Sequence, residues 1–360
     1  MRESIFYQRG LNGRVVAKWI DPQGARQRRW LSESNAQALE TAARHVMTML
    51  WQDLNAGTIV FMPPLDSDAR ELIGKIAEYS NDASAQDVLK FNSIYKPVGI
   101  LPPDQYQAVL LQASEGCSYN QCTFCDFYKD RSFHIKSESE FRAHCVAVHD
   151  YLGRGLSLRR TIFLGDANAL VIPQQHLLEL FDAVHAVFDV EALGGIFAFQ
   201  DAFSGEKKDK SDYHQLRLKG LERVYIGLES GHDPLLEFLK KPGNAENALH
   251  TVHKLKSAGI AVGVIILIGA GGKAYADGHV RDTIRVLNAM ALDMNDQLYF
   301  SELVQPEELL YALSAIQDEL DPLDQDERRT QTEKIESALS FSLSGGTPHV
   351  SRYDIREFVY

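Results

Sequence analysis

Residues 107–128 read QAVLLQASEGCSYNQCTFCDFY: a short apolar run passes directly into a loop with cysteines at 117, 122 and 125. An apolar run of this length, bounded by polar residues, has the form of a buried strand. Five similar runs follow, RTIFLG, LGGIFAFQ, RVYIGLES, AVGVIILIG and QLYFSEL. Between them, amphipathic patterns predict helices near 137–152, 173–188, 211–219, 233–257 and 277–292. Alternating strands and helices imply right-handed crossovers and a parallel α/β sheet. Six such units fit a partial (β/α)6 TIM-like barrel better than a closed eightfold one. The cysteine loop then stands at the carboxyl end of the first strand, where such sheets place their chemistry.

The rest of the chain is divided around this array. With 360 residues, 45% of them hydrophobic, it exceeds the roughly 100–200 residues of an average domain. The expected organisation is an N-terminal α+β extension and linker over 1–104, the core over 105–305 and a C-terminal extension over 306–360. In the extension, SIFYQRG and RVVAKWI alternate as strands around a two-residue Asn12-Gly13 hairpin turn, and a helix capped at Ser34 or Asn35 runs to Gly57. A further helical pattern lies near 68–79, and YKPVGILPPDQY, residues 95–106, reads as an extended linker. The tail adds a helix, the charged segment LDPLDQDERRTQTEK and a strand-like VSRYDIREFVY.

Charge and composition exclude some roles. The balance of 37 basic and 49 acidic residues, a formal −12, argues against a nucleic-acid surface as the main business. The one dense basic run, Arg26-Gln-Arg-Arg29, reads as a solvated hairpin edge. No stretch approaches the roughly 18 apolar residues that span a bilayer, and the N-terminus lacks the apolar core of a signal peptide. A cytoplasmic protein without a membrane partner is expected. In a reducing compartment, crowded cysteines are metal ligands or catalytic thiols before they are disulfides.

Three thiolates can hold three irons of a cubane [4Fe–4S] cluster, leaving the fourth iron to a ligand that is not protein. A Cys3His zinc module completed by His134 is the alternative, although structural zinc sites usually pair their ligands in close couples. The fourth cysteine, Cys145, shares a helical face with Phe141 and Val148 and reads as a buried apolar thiol. His45, His149, His250 and His253 fall in helical patterns without ligand spacing.

The spacing C-x4-C-x2-C, with Phe124 just before the last cysteine, resembles the radical S-adenosylmethionine (SAM) superfamily, whose usual first spacer is one residue shorter. The resemblance implies that Cys117, Cys122 and Cys125 ligate the cluster, that SAM chelates the open iron, and that Phe124 flanks the site. At the end of the second strand, Phe163-Leu-Gly-Asp-Ala-Asn168 stands where the family carries its "GGE" motif. By resemblance, Gly165, Asp166 and Ala167 would receive the SAM amino group; a plain aspartate in a turn is the bland alternative. The segment Tyr225-Ile-Gly-Leu-Glu-Ser-Gly231 is similar to the "GLESG" stretch of the branch containing oxygen-independent coproporphyrinogen dehydrogenase and the methylthiotransferases. It implies that Glu229 and Ser230 face the ribose or methionine carboxylate. The run Gly263-Val-Ile-Ile-Leu-Ile-Gly-Ala-Gly-Gly272 resembles the strand that packs along the adenine, through Ile266 and Gly269.

The resemblance implies an enzyme that cleaves SAM reductively to a 5′-deoxyadenosyl radical, fed by an electron donor such as flavodoxin or ferredoxin, with a small-molecule or other substrate that no motif identifies. Asp126, Tyr128, Gln200 and Glu302, just past strand ends, are expected at the substrate mouth. A non-catalytic carrier on the same fold, of the haem-chaperone type, is the rival from another class.

Overall fold

The computed structural model describes residues 5–22, 24, 26–205, 207–304, 310–341 and 345–360. The chain forms two compact units, Met1–Pro97 with Val359–Tyr360, and Val98–Phe358.

In the first unit, β1 (Phe6–Arg9), β2 (Val15–Ile20) and β3 (Arg26–Trp30) form an antiparallel sheet in that order. The β1–β2 connection is not the two-residue hairpin expected at Asn12-Gly13. Arg9 pairs with Val15, which leaves a five-residue loop, 10–14, closed by Gly10 N–H to the Arg14 carbonyl at 2.9 Å. Asn12 instead accepts the Arg14 N–H with its side chain at 3.1 Å. The basic run 26–29 lies on the edge strand β3, largely exposed. Helices α1 (Glu33–Ala56), α2 (Ser67–Glu78) and α3 (Asn81–Ile94) follow. Ser32, not Ser34 or Asn35, caps α1, its hydroxyl accepting the Asn35 N–H. The sequence reading missed α3 because its apolar stripe is weak and only Ser84 and Phe91 are buried. Phe91 stacks on Tyr95 at 4.9 Å, and the ring of Tyr360, from the other end of the chain, closes edge-on to Tyr95 at 5.8 Å.

The second unit opens with β4 (Ala108–Gln112) and a small antiparallel pair, β5 (Ser114–Glu115) and β6 (His134–Ile135), which clasps the base of the cysteine loop. Next come α4 (Glu138–Leu152), β7 (Thr161–Gly165), α5 (Gln174–His185), β8 (Ile196–Gln200), α6 (Ala202–Gly205), α7 (Lys210–Leu218) and β9 (Leu221–Glu229). The remainder comprises α8 (Asp233–Phe238), α9 (Ala245–Ser257), β10 (Ala261–Ile268), α10 (Gly272–Ala289), β11 (Gln297–Glu302), α11 (Leu310–Gln317), α12 (Gln325–Ser337) and β12 (His349–Tyr353). Seven parallel strands lie in the order β12-β11-β10-β9-β8-β7-β4, the partial TIM-like sheet expected with one strand more.

That extra strand is the tail: β12 pairs with β11 from Gln297↔His349 to Ser301↔Tyr353. The charged segment before it leads into helix α12. A reciprocal capping box between Asp324 and Glu327 starts it, and Gln331, Thr332 and Ile335 turn inward. The helix expected over 233–257 is two, α8 and α9, because Pro242-Gly243 cannot continue a helix. Gly243 adopts φ +82° before Asn244 caps α9.

The floor of the sheet's interior is polar. Asp104 accepts the hydroxyls of Tyr225 (2.5 Å) and Tyr299 (2.7 Å) and pairs with Arg223 at 3.0 Å. Phe163, Phe199, Tyr225 and Tyr299 pack ring against ring above it, so chemistry is left to the opposite end. No helix among the described residues is long and apolar enough to cross a membrane.

Candidate functional site

At the carboxyl ends of the strands lies a cavity of about 210 Å³. Cys117, Cys122 and Cys125 line it together with Phe124, Ala167 and Glu229. The three thiols therefore share one wall. Burial pushes the Cys125 thiol up to about 12, although the backbone N–H of Phe127 pulls the other way. Cys122 is raised by burial against the opposing pull of Lys241. Among the described residues, no group of three or more His, Cys, Asp and Glu side chains is set to hold one metal ion. A tetrahedral zinc site needs its four ligands to converge. His134 does not join the thiols: it stands exposed on β6 with its Nε2 3.8 Å from Glu140. The Cys3His arrangement has no basis in this geometry. A cubane asks something else, because each thiolate bonds a different iron, and three thiols spread along one wall fit it. Cys145 is fully buried on α4, away from this wall.

Asp166 does not line the cavity. Its Oδ1 accepts Gln112 Nε2 at 2.7 Å and its Oδ2 accepts the Gly116 N–H at 2.9 Å, with Arg131 Nη1 at 3.5 Å. Burial raises its carboxyl above the ordinary range against the lowering effect of these bonds. Both oxygens thus support the stem of the cysteine loop. A Cβ at Gly165 would lie 2.9 Å from Leu110 Cδ1. Ala167 and Asn168 are the members of this turn that reach the cavity. Asn168 is 2% exposed; its Nδ2 donates to Asp201 and Ser204, while its Oδ1 has no partner. On β8, Gln200, also 2% exposed, accepts the Tyr213 hydroxyl at 3.0 Å and leaves Nε2 unpartnered. An unpaired buried acceptor and donor on one cavity wall call for a polar occupant.

In the same lining, close to Cys122, Glu229 holds φ +58°, a left-handed position at which its carboxylate meets Lys241 Nζ at 3.0 Å. Burial opposes the lysine's charge, but Glu229 and Cys122 together keep it protonated above its usual range. Lys241 is a site residue that the sequence reading missed. Its signal was the helix break Lys240-Lys241-Pro242-Gly243, which marks a loop between α8 and α9.

Ser230 is fully buried and does not line the cavity. Its Oγ accepts the His232 N–H at 3.0 Å and so has its own hydrogen for His279 Nδ1 at 2.7 Å. Thr283 accepts the Gly231 N–H at 2.9 Å. Two residues of α10 thus hold the Glu229 turn from behind.

On β10 the expectation fell one residue out of step: Ile265 and Leu267 line the cavity, while Ile266 faces the opposite side of the sheet and is fully buried. Gly269 is covered by α12, its N–H donating to Gln331 Oε1 at 2.9 Å with Arg328 packed over it. Of the residues expected at the mouth, Tyr128, Gln200 and Glu302 line the cavity, and Asp126 is exposed outside it. The tail contributes Tyr353 and Ile355, which no motif announced.

Residues 111–287 match the family model described as the Radical SAM superfamily. A curated relative, an uncharacterized methyltransferase of Synechocystis sp., is 28% identical over 181 residues, 50% of this chain and 32% of its own length; the chain therefore spans about a third of that relative. Among solved structures, a cobalamin-dependent SAM radical enzyme with aqua-cobalamin and SAM bound matches with a TM-score of 0.43 and 15% identity, over 89% of this chain and 36% of its own. Coproporphyrinogen III oxidase of Escherichia coli, titled a radical SAM enzyme, matches with a TM-score of 0.44 and 11% identity over 69% and 54%. Methylornithine synthase matches with 0.44 and 14% over 76% and 78%. With the family model spanning the cysteine loop and the strands β7 to β10, residues 111–287 belong to the radical SAM superfamily.

Proposed function

We propose that the protein is an enzyme that holds one [4Fe–4S] cluster through Cys117, Cys122 and Cys125 and binds SAM beside it. The observation that carries this reading is that three thiols and an ion pair, Glu229 and Lys241, line one cavity. When bound, the cluster supplies one electron to the SAM sulfonium, releasing methionine and a 5′-deoxyadenosyl radical.

The chain's own residues supply recognition. SAM carries a carboxylate, an ammonium and a ribose diol, and each finds a complementary group. Lys241, the charged donor of the cavity wall, suits the carboxylate. The free Oδ1 of Asn168 suits the ammonium in place of Asp166, and Glu229 suits the diol. Phe124, Ile265 and Leu267 give the adenine an apolar seat. Phe127, Tyr128, Phe199 and Tyr353 narrow the remaining space, excluding water from a reactive intermediate. An electron donor of the flavodoxin or ferredoxin class is part of this proposal.

The test is anaerobic incubation of reconstituted protein with dithionite and SAM, followed by chromatography. Formation of 5′-deoxyadenosine above a Cys122→Ala control is expected. A fully loaded cluster that binds SAM yet yields none would favour the carrier reading. The same chromatogram resolves S-adenosylhomocysteine, the mark of methyl transfer, which the similarity to an uncharacterized methyltransferase makes the first reaction to look for.

A further inference from the structure

The spacer between the first two cysteines, Ser118-Tyr119-Asn120-Gln121, has to turn back on itself to bring Cys122 to the wall that Cys117 occupies. The turn is made at Asn120, which stands at φ +51°. Left-handed backbone is unfavourable for most side chains, and asparagine is among the few that adopt it readily. In that conformation three polar groups of Asn120 meet three different anchors. Its backbone N–H points at Cys117 Sγ, 3.3 Å away. Its side-chain Nδ2 donates to the carbonyl of Tyr128 at 2.9 Å, and its own carbonyl accepts Lys129 Nζ. Tyr128 is itself buried, 5% exposed, so the clamp ties the spacer to a fixed point on the far side of the third cysteine.

We infer that Asn120 is a positioning residue for the cluster: it folds the four-residue spacer and places a backbone hydrogen bond on the thiolate of Cys117. The inference rests on the cluster reading above and deepens it. A hydrogen bond to a cluster sulfur draws electron density from it and favours the reduced state, so Asn120 also bears on how readily the centre takes its electron.

The experiment uses full-length protein grown with [15N]asparagine on an otherwise unlabelled background, reconstituted with iron and sulfide under argon and reduced with dithionite. Pulsed electron paramagnetic resonance of the reduced cluster should show a 15N coupling. In Asn120→Gly, which keeps the left-handed turn, iron per chain should be retained while that coupling disappears, the labelled atom being gone. Asn120→Val, whose branched side chain resists this backbone, should lose at least half its iron. A loaded wild-type cluster without 15N coupling, or a coupling that survives unchanged in Asn120→Gly, overturns the asparagine assignment alone. So does full iron loading of Asn120→Val. A chain that takes up no cluster at all overturns this inference and the cluster reading together.

Discussion

The carboxylate of Asp166 lies under the cysteine loop, joining Gln112 on β4 to the Gly116 N–H next to Cys117. Asp166→Ala would remove both of these bonds in a buried place, at a cost of about 1–3 kcal/mol each. The expected result is a loss of iron per chain, with SAM affinity of the residual loaded fraction changed by less than about threefold; an iron-replete mutant with weakened SAM binding would return Asp166 to the ligand. Behind the Glu229 turn, His279 is pulled down to about 4 by burial and then by His232. The unfolded imidazole titrates near about 6.5, so between these values the unfolded state binds the extra proton. Stability is full above the window and falls as pH drops through it. Denaturant midpoints at about pH 7 and pH 5 should therefore differ more in the wild type than in His279→Gln. Equal differences would show that His279 does not carry this dependence. Identity alone told little about either residue. The pattern in sequence located the turns at 163–168 and 225–231, but whether an acid points to a ligand or to a neighbouring loop is decided by atoms more than fifty positions away, as in the 112–166 pair.

Among the elements, the barrel strands were legible because each is an apolar run too short for a helix, and the three cysteines were legible because their spacing is local. What stayed hidden depends on register or on charge. The swap of Ile266 for Ile265 and Leu267 is a one-residue slip on a strand whose residues all read as apolar on both faces, as buried parallel strands do. Helix α12 was hidden because its charged sequence carries little apolar periodicity and is held by a capping box and by side-chain bonds to the β10 loop. Gly263 marks where two strands fit: a Cβ there would stand 2.3 Å from the Tyr225 ring, a ring already fixed at the floor by Asp104. Gly263→Ala should destabilise the fold by roughly 1–3 kcal/mol through overpacking, read as a lower urea midpoint. An unchanged midpoint would mean that the aromatic floor yields more easily than its bonding implies.

At the scale of the whole molecule, the path of the chain is the feature the sequence concealed most completely, since nothing in VSRYDIREFVY says that its strand joins one unit and its last residues the other. Tyr360 is 8% exposed, closes on the Phe91–Tyr95 pair and accepts the Leu11 N–H at 2.8 Å through its carbonyl. Tyr360→Ala should cost the first unit about 2–4 kcal/mol and raise hydrogen exchange in α3, while iron bound per chain stays at the wild-type level; loss of iron in this variant would overturn the assignment of Tyr360 to the first unit alone. The chain leaves the first unit at Pro97 and re-enters it only at Val359, so the second unit is inserted within the first. Domains ordinarily mature in the order in which the ribosome delivers them. Here residues 1–97 are delivered before the second unit yet are completed only after it, by an aromatic side chain that the ribosome adds once the whole of that unit has been synthesised.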